Sequence, residues 1–263
     1  MTRIIVFTDL DGTLLDHDTY SYADANDALA LLHAHNIPLI LASSKTAAEI
    51  RPLRAELGFS QCPAIVENGS GVISGETTDE SAREQANDYG ALLDVLNATP
   101  AALRKQFESF SDWSPEEIAK ITGLPLESAK LAGMRQFSEP GLWRGDDAGL
   151  SEFITHLSGK GVAARRGGRF LTLSFGTTKG QRVREVAALY TAESIAPKTI
   201  ALGDAPNDIE MIEAVDFGVI IANPHGKDMP QLDGETSGNI ERSVLNGPKG
   251  WNESVIRIVS SLL

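Results

Sequence analysis

Apolar residues in this chain come in short, dense runs that stop on polar ones. "IIVF", residues 4–7, is β-branched and aromatic, too short for a helix, and reads as a strand buried on both faces. Helical spacing follows around residues 25–35. Then come "IPLILASS" as a second strand, a helix over "TAAEIRPLRAELG" ending at Gly58, and "PAIVENG" as a third strand. The alternation returns near the carboxyl end, with "QRVREVAALY" as helix, "KTIALGD" as strand, "DIEMIEAV" as helix, "FGVIIAN" as strand and "GWNESVIRIVSSLL" as a closing helix. Strand and helix alternating in this way predict a doubly wound parallel sheet of the α/β class.

The middle follows another rhythm. From Ser81 to Leu131 the pattern is helical and polar, with helix starts at Thr99-Pro100, Ser114-Pro115 and Leu124-Pro125, where proline fits a first turn. Short extended pieces, "MRQFSEP" and "LWRG", precede a helix around residues 149–157. Two strand-like runs, "VAARR" and "RFLTLSF", flank a Gly167-Gly168 turn. The pattern therefore predicts a core made of residues 1–81 and 176–263 and an inserted α+β domain over 82–175. No internal repeat or low-complexity tract interrupts it.

Charge narrows the partners. The 263 residues carry a formal net charge of −13, a field that repels nucleic acid and anionic membranes. A site for a phosphorylated metabolite must then be built locally from a metal ion, a lysine and backbone N–H groups. The one cysteine, Cys62, cannot form an internal disulfide, which suits a reducing cytoplasm and argues against a zinc site. The first apolar run is cut off by acids and is too short for a signal-peptide core or a membrane span. A cytoplasmic protein, monomer or homodimer, is expected.

The candidate chemistry sits at the ends of the predicted core strands and the starts of helices. "DLDGT" supplies Asp9 and Asp11, "ASSKT" supplies Ser43 and Lys45, "TTKG" supplies Lys179, and "GDAPND" supplies Asp204, Asn207 and Asp208. In open α/β sheets the carboxyl ends of the strands face the ligand crevice, so two carboxylates held there are suited to chemistry or to a cation. Each group alone has a plainer reading as a turn or capping residue. Their number and order favour a site. The five histidines follow no ligand spacing, and Trp113, Trp143 and Trp251 read as packing residues.

This set, in this order, resembles the haloacid dehalogenase superfamily of phosphatases, and the inserted domain resembles the cap of that superfamily. The resemblance implies hydrolysis of a phosphomonoester in two easier steps through an aspartyl phosphate. Asp9 would be the nucleophile. Mg²⁺ would be held by Asp9, the backbone carbonyl of Asp11 and Asp204, and Lys179 would add a second positive charge. Asp11 would protonate the leaving oxygen and then deprotonate the attacking water, with Gly12 and Thr13 shaping the turn that follows. Ser43 would donate to a phosphate oxygen, and Asp208, beside Asn207, would hold a water on the metal or orient Lys179.

Within that superfamily, "SSKT", "ENG", "RQFSEP" and "GGRF" resemble the mannosyl-3-phosphoglycerate phosphatase family. This implies dephosphorylation of 2-O-mannosyl-3-phosphoglycerate to mannosylglycerate, a compatible solute. Lys45, Arg135, Ser138, Glu139 and Arg169 would then be substrate contacts, an arginine suiting the glycerate carboxylate. The chain departs from the family pattern at Thr178, at Leu171 and Thr172, and at Ala205. Another sugar phosphatase acting on glucosyl-3-phosphoglycerate or a hexose phosphate, a phosphohexomutase, and a non-catalytic sugar-phosphate sensor are the competing readings.

Overall fold

The computed structural model describes residues 3–75, 89–167, 169–192, 195–226 and 228–263. The expected boundary between residues 81 and 82, the start of the helical stretch at Ser81, and Gly168 of the expected turn lie outside them. The chain opens with β1 (Ile4–Thr8), α1 (Asn26–Ala34), β2 (Leu39–Leu41), α2 (Ala47–Glu56) and the hairpin of β3 (Ala64–Val66) and β4 (Gly71–Ile73). The middle holds α3 (residues 89–97), α4 (Ala101–Arg104), β5 (Phe107–Ser109), α5 (Pro115–Thr122), α6 (Leu126–Gly133), β6 (Ser138–Trp143), α7 (Asp147–Ser158), β7 (Ala163–Gly167) and β8 (Phe170–Ser174). Then follow α8 (Lys179–Leu189), β9 (Lys198–Gly203), α9 (Ile209–Ile212), β10 (Phe217–Ala222), α10 (Asp233–Ser237), β11 (Ile240–Asn246) and α11 (Gly247–Leu262).

Two compact units result. One comprises Met1–Ser44, Arg54–Gly75 and Thr178–Leu263; the other comprises Lys45–Leu53 and Glu76–Thr177. The first is built on a parallel sheet in the order β11-β10-β9-β1-β2. All five residues of β1 are buried, as a strand covered on both faces requires. Ser43 N–H donates to the Ile65 carbonyl at 3.0 Å, and Ala42 bridges Ile65 in parallel, so β3 continues the sheet past β2. From β1 the chain winds outward through β2 and β3; it returns at β9 and winds the other way through β10 and β11. The reversal between β1 and β9 opens a crevice at their carboxyl ends.

The second unit is a four-stranded antiparallel sheet, β5-β6-β8-β7. Phe153 and Leu157 of α7 and Leu92 and Leu96 of α3 pack with Phe107, Leu171 and Leu173 of the sheet. Ile118 of α5 and Ala129 and Ala132 of α6 close a smaller cluster on Phe110. The proline signals hold: Pro115 opens α5 behind a Ser114–Glu117 capping box, while Pro100 and Pro125 cap α4 and α6. "MRQFSEP" and "LWRG" contribute to one strand, β6, rather than two pieces; Pro140, which breaks the sequence signal, falls just past the residues paired with β5. Strand β5 also lies inside the stretch expected to be helical, and β4, α10 and β11 were not expected at all.

Candidate active site

Strand β1 delivers Asp9 into the crevice. Its N–H donates to the Leu202 carbonyl of β9 at 2.9 Å. Behind it, the buried Trp251 indole N–H donates to Thr8 Oγ1 at 2.9 Å, and that hydroxyl donates to the Asp9 carbonyl at 2.6 Å. After Leu10 the chain folds back at once, with Gly12 N–H on the Leu15 carbonyl and Leu15 N–H on that of Leu10. Gly12 has φ +81°, and a Cβ there would stand 2.6 Å from Asn223 Nδ2 and 2.8 Å from Asp204 Oδ2. Only glycine fits both the left-handed backbone and the close approach.

Helix α8 supplies Lys179 at its first residue, behind a Thr178–Gln181 capping box. The Nζ atom donates to Asp9 Oδ1 at 2.7 Å and to Asp208 Oδ1 at 2.6 Å. The loop after β9 brings the other acids. Asp208 Oδ2 accepts from the N–H groups of Asp204 and Ala205, at 3.2 and 3.1 Å. Asp204 is held on both oxygens, Oδ1 by the Thr13 hydroxyl at 2.7 Å and Oδ2 by Asn223 Nδ2 at 2.6 Å. Asp9, Asp204 and Asp208, all buried, each offer one oxygen within 4.8 Å of the others.

Burial and then the Asp208 carboxylate drive the Asp9 carboxyl well above its usual range, against the pull of Lys179. Burial likewise raises Asp204, opposed by Asn223 and Thr13. Burial alone would discharge Lys179, but Asp208 and Asp9 outweigh it and keep the ammonium protonated. Three carboxylates against one ammonium leave two formal negative charges in a buried, all-oxygen cluster. That donor set fits Mg²⁺, a hard dication that takes oxygen ligands.

The structure thus brings together Asp9, Lys179, Asp204 and Asp208 in the first unit. Asp208, expected outside the cation ligands, offers an oxygen within 4.8 Å of those of Asp9 and Asp204. Asp11, half-buried, lies in the turn and outside that carboxylate trio; the role expected of it toward a cation is through its main-chain carbonyl. Ser43 is buried at the end of β2, its carbonyl accepting from Asn68 N–H at 2.9 Å. Asn207 is exposed, and its amide reaches Asn68 Oδ1 at 3.4 Å and Asp208 Oδ1 at 3.3 Å.

Lys45 is half-buried and begins the short segment grouped with the second unit. In that unit Arg135 donates to Ser138 Oγ at 2.7 Å. Ser138 is fully buried, and so is Glu139, whose two oxygens accept from the Tyr89 hydroxyl and from Ser111 N–H, both at 2.7 Å. Arg169 is exposed, donates to the Ile121 carbonyl and lies over the Phe170 ring. Glu139 therefore braces its own unit with both oxygens.

Two features escaped the sequence reading. Asn223, at the end of β10, is the first. The second is the structural part played by the "ENG" turn after β3, which the sequence reading used only as a mark of resemblance; there Glu67, Asn68 and Gly69 all have positive φ (52°, 57° and 88°). A Cβ on Gly69 would stand 2.3 Å from Lys179 N, so this turn seats the first residue of α8. The available signal was the same for both: a polar residue directly after a predicted core strand. A cavity lined by Arg3, His35, Tyr190 and Leu263 shares no residue with the cluster, so concavity alone does not point to it.

A lysine-bridged carboxylate cluster at the switch point of a parallel sheet defines a class, and the chain belongs to the haloacid dehalogenase-like hydrolases, whose family model matches residues 6–101 and 149–246. It is a phosphatase of that type. The chain is 34% identical to the glucosyl-3-phosphoglycerate/mannosyl-3-phosphoglycerate phosphatase of Methanococcoides burtonii, over 97% of each chain. It is 33% identical to the protein of the same name from Persephonella marina, over 98% of each. In fold it is similar to the sucrose-phosphatase of Synechocystis, with TM-score 0.63 at 15% identity over 98% of this chain and 99% of that one. Among the described residues no helix is long and apolar enough to cross a membrane.

Proposed function

We propose that the protein is a Mg²⁺-dependent glycosyl-3-phosphoglycerate phosphatase, acting on the mannosyl compound to give mannosylglycerate, with the glucosyl compound as an alternative substrate. The observation that carries the chemistry is Lys179 Nζ bridging Asp9 and Asp208 beside Asp204. The near full-length similarity to the two named phosphatases supports the substrate class.

In this reading a carboxylate oxygen of Asp9 forms a bond to phosphorus as the ester oxygen leaves with a proton from Asp11. Asp11, now a carboxylate, takes a proton from water; that water attacks the aspartyl phosphate, phosphate departs and Asp9 is regenerated. Lys179 and the Ser43 hydroxyl hold phosphate oxygens, and Asp208 keeps Lys179 charged and aimed. Asp9, Asp204 and the Asp11 carbonyl would hold Mg²⁺, with Asp208 beside them. Bound there, the ion would neutralise charge between the attacking carboxylate and the phosphate. In the second unit Arg135 and Arg169 are the candidate partners of the glycerate carboxylate, and Lys45, Ser138 and Glu139 complete the proposed contacts. Of these, Ser138 and Glu139 are both buried on partners of their own.

Phosphate release from mannosyl- and glucosyl-3-phosphoglycerate, measured beside hexose phosphates with Mg²⁺ present, tests the reading. The glycerate esters should give the higher kcat/KM, and Asp9→Asn should lose all turnover while still folding cooperatively. Preference for hexose phosphates would overturn the substrate, and an active Asp9→Asn would overturn the covalent step.

A further inference from the structure

Asp204 directly follows β9, which lies between β1 and β10 in the sheet, and its carboxylate is gripped from both neighbours. Thr13, in the loop after β1, holds Oδ1, and Asn223, at the end of β10, holds Oδ2. The Asn223 amide has no freedom to turn over. Its Oδ1 accepts from His225 N–H at 2.9 Å, which leaves the NH₂ as the only group that can face the Asp204 oxygen. The loop closes further with Gly226 N–H on the Asn223 carbonyl at 3.1 Å. On its far side the His225 ring stacks on His17, which follows the β1 loop; the ring centroids are 4.8 Å apart and the planes within 4°. Gly12 completes the arrangement, because any side chain there would strike the Asn223 amide.

We propose that Asn223 is a positioning residue for the cation, fixing the rotamer of Asp204, and that the His17–His225 stack ties its loop to the loop after β1. This rests on the Mg²⁺ reading of the site. Without the amide, Asp204 Oδ2 loses the donor that fixes its orientation, and the ion must order the carboxylate itself. Partners of this kind typically change metal affinity by about 10- to 100-fold. The rings act one step further out, so their loss should cost less.

The test uses the full chain and Mg²⁺ alone, titrated against melting temperature without substrate, followed by kcat and KM at saturating Mg²⁺. Asn223→Ala should require about 10-fold more Mg²⁺ for half of the stabilisation, with the melting temperature in EDTA near the wild type and KM for substrate unchanged. A merely structural role would instead lower the melting temperature in EDTA and leave the Mg²⁺ midpoint in place. His17→Ala and His225→Ala should shift the midpoint in the same direction by a smaller factor, and the double variant by no more than either alone. An Asn223→Ala protein with wild-type Mg²⁺ affinity overturns the proposal, and wild-type affinity in both histidine variants overturns its ring-stack half. Should Asn223→Ala not fold, Asn223→Ser, too short to reach Asp204 Oδ2, is held to the same Mg²⁺ midpoint. A wild-type protein with no Mg²⁺ response overturns the cation reading as well, which separates that failure from failure of the clamp.

Discussion

At the scale of single residues, the site is governed by a charge imbalance that only a buried position makes costly. Lys179 faces two carboxylates within 2.7 Å and is itself 2% exposed. Removing one partner from a buried ionic cluster costs about 3 kcal/mol or more; with Asp9 still in place, Asp208→Asn should lower the unfolding free energy by about 2 kcal/mol. Urea denaturation measures this directly, and an unchanged midpoint would mean that Asp9 alone satisfies the lysine. The same variant removes the carboxylate that pushes the Asp9 carboxyl up. The motif acids and Lys179 were legible because each sits in a short local signature, after a core strand for the acids and at a helix start for the lysine. Glu139 was not: an acid in "RQFSEP" reads as a substrate contact, and nothing local shows that Tyr89 and Ser111 occupy both its oxygens.

At the scale of elements, Asp216 ties the start of β9 to the turn before β10. Its Oδ2 accepts from Thr199 N–H at 2.9 Å and the Thr199 hydroxyl at 2.8 Å, and its Oδ1 from Lys198 at 3.0 Å. Burial pushes the carboxyl up, but these donors outweigh it and hold it below the usual carboxylate range. A carboxyl depressed in the folded state stabilises fully above its unfolded pKa of about 3.9 and loses that contribution as pH falls through the folded value. Asp216→Asn should therefore cost about 1 kcal/mol at pH 7, the exposed side of the group discounting the ion pair. The gap should close as pH falls from the unfolded value through the folded one; melting curves across the acid range measure it, and a gap that persisted in acid would exclude the ionised contact. The long buried strands were readable because near-continuous apolar runs of four or five residues are unambiguous. Strands β4 and β5 are three residues long and, unlike the equally short β2 and β3, not buried throughout, and β11 is an edge strand with Val244 88% exposed. Neither kind carries a pattern that distinguishes it from loop or helix.

At the scale of the whole molecule, an acidic chain concentrates three of its carboxylates in one buried cluster with a single lysine. Any ligand that binds the folded state alone stabilises it by mass action, about 2.7 kcal/mol at one hundred times its Kd. Saturating Mg²⁺ should raise the melting temperature by several degrees, EDTA should reverse the gain, and Na⁺ at matched ionic strength should not reproduce it. Equal effects of Na⁺ would reduce the cluster to an ordinary screened patch. Hydrophobic periodicity and the polar residue closing each buried run are local properties of the chain, and they already specify the α/β class, the strands of the parallel core and most of its reactive groups. Which of those groups touch is a matter of strand order and register, and these arise from packing over distances that no local pattern encodes. Only when β9 lies between β1 and β10 does Asn223 meet Asp204, does Gly12 have to be a glycine on their account, and does Asp208 turn from a helix-capping acid into a partner of Lys179.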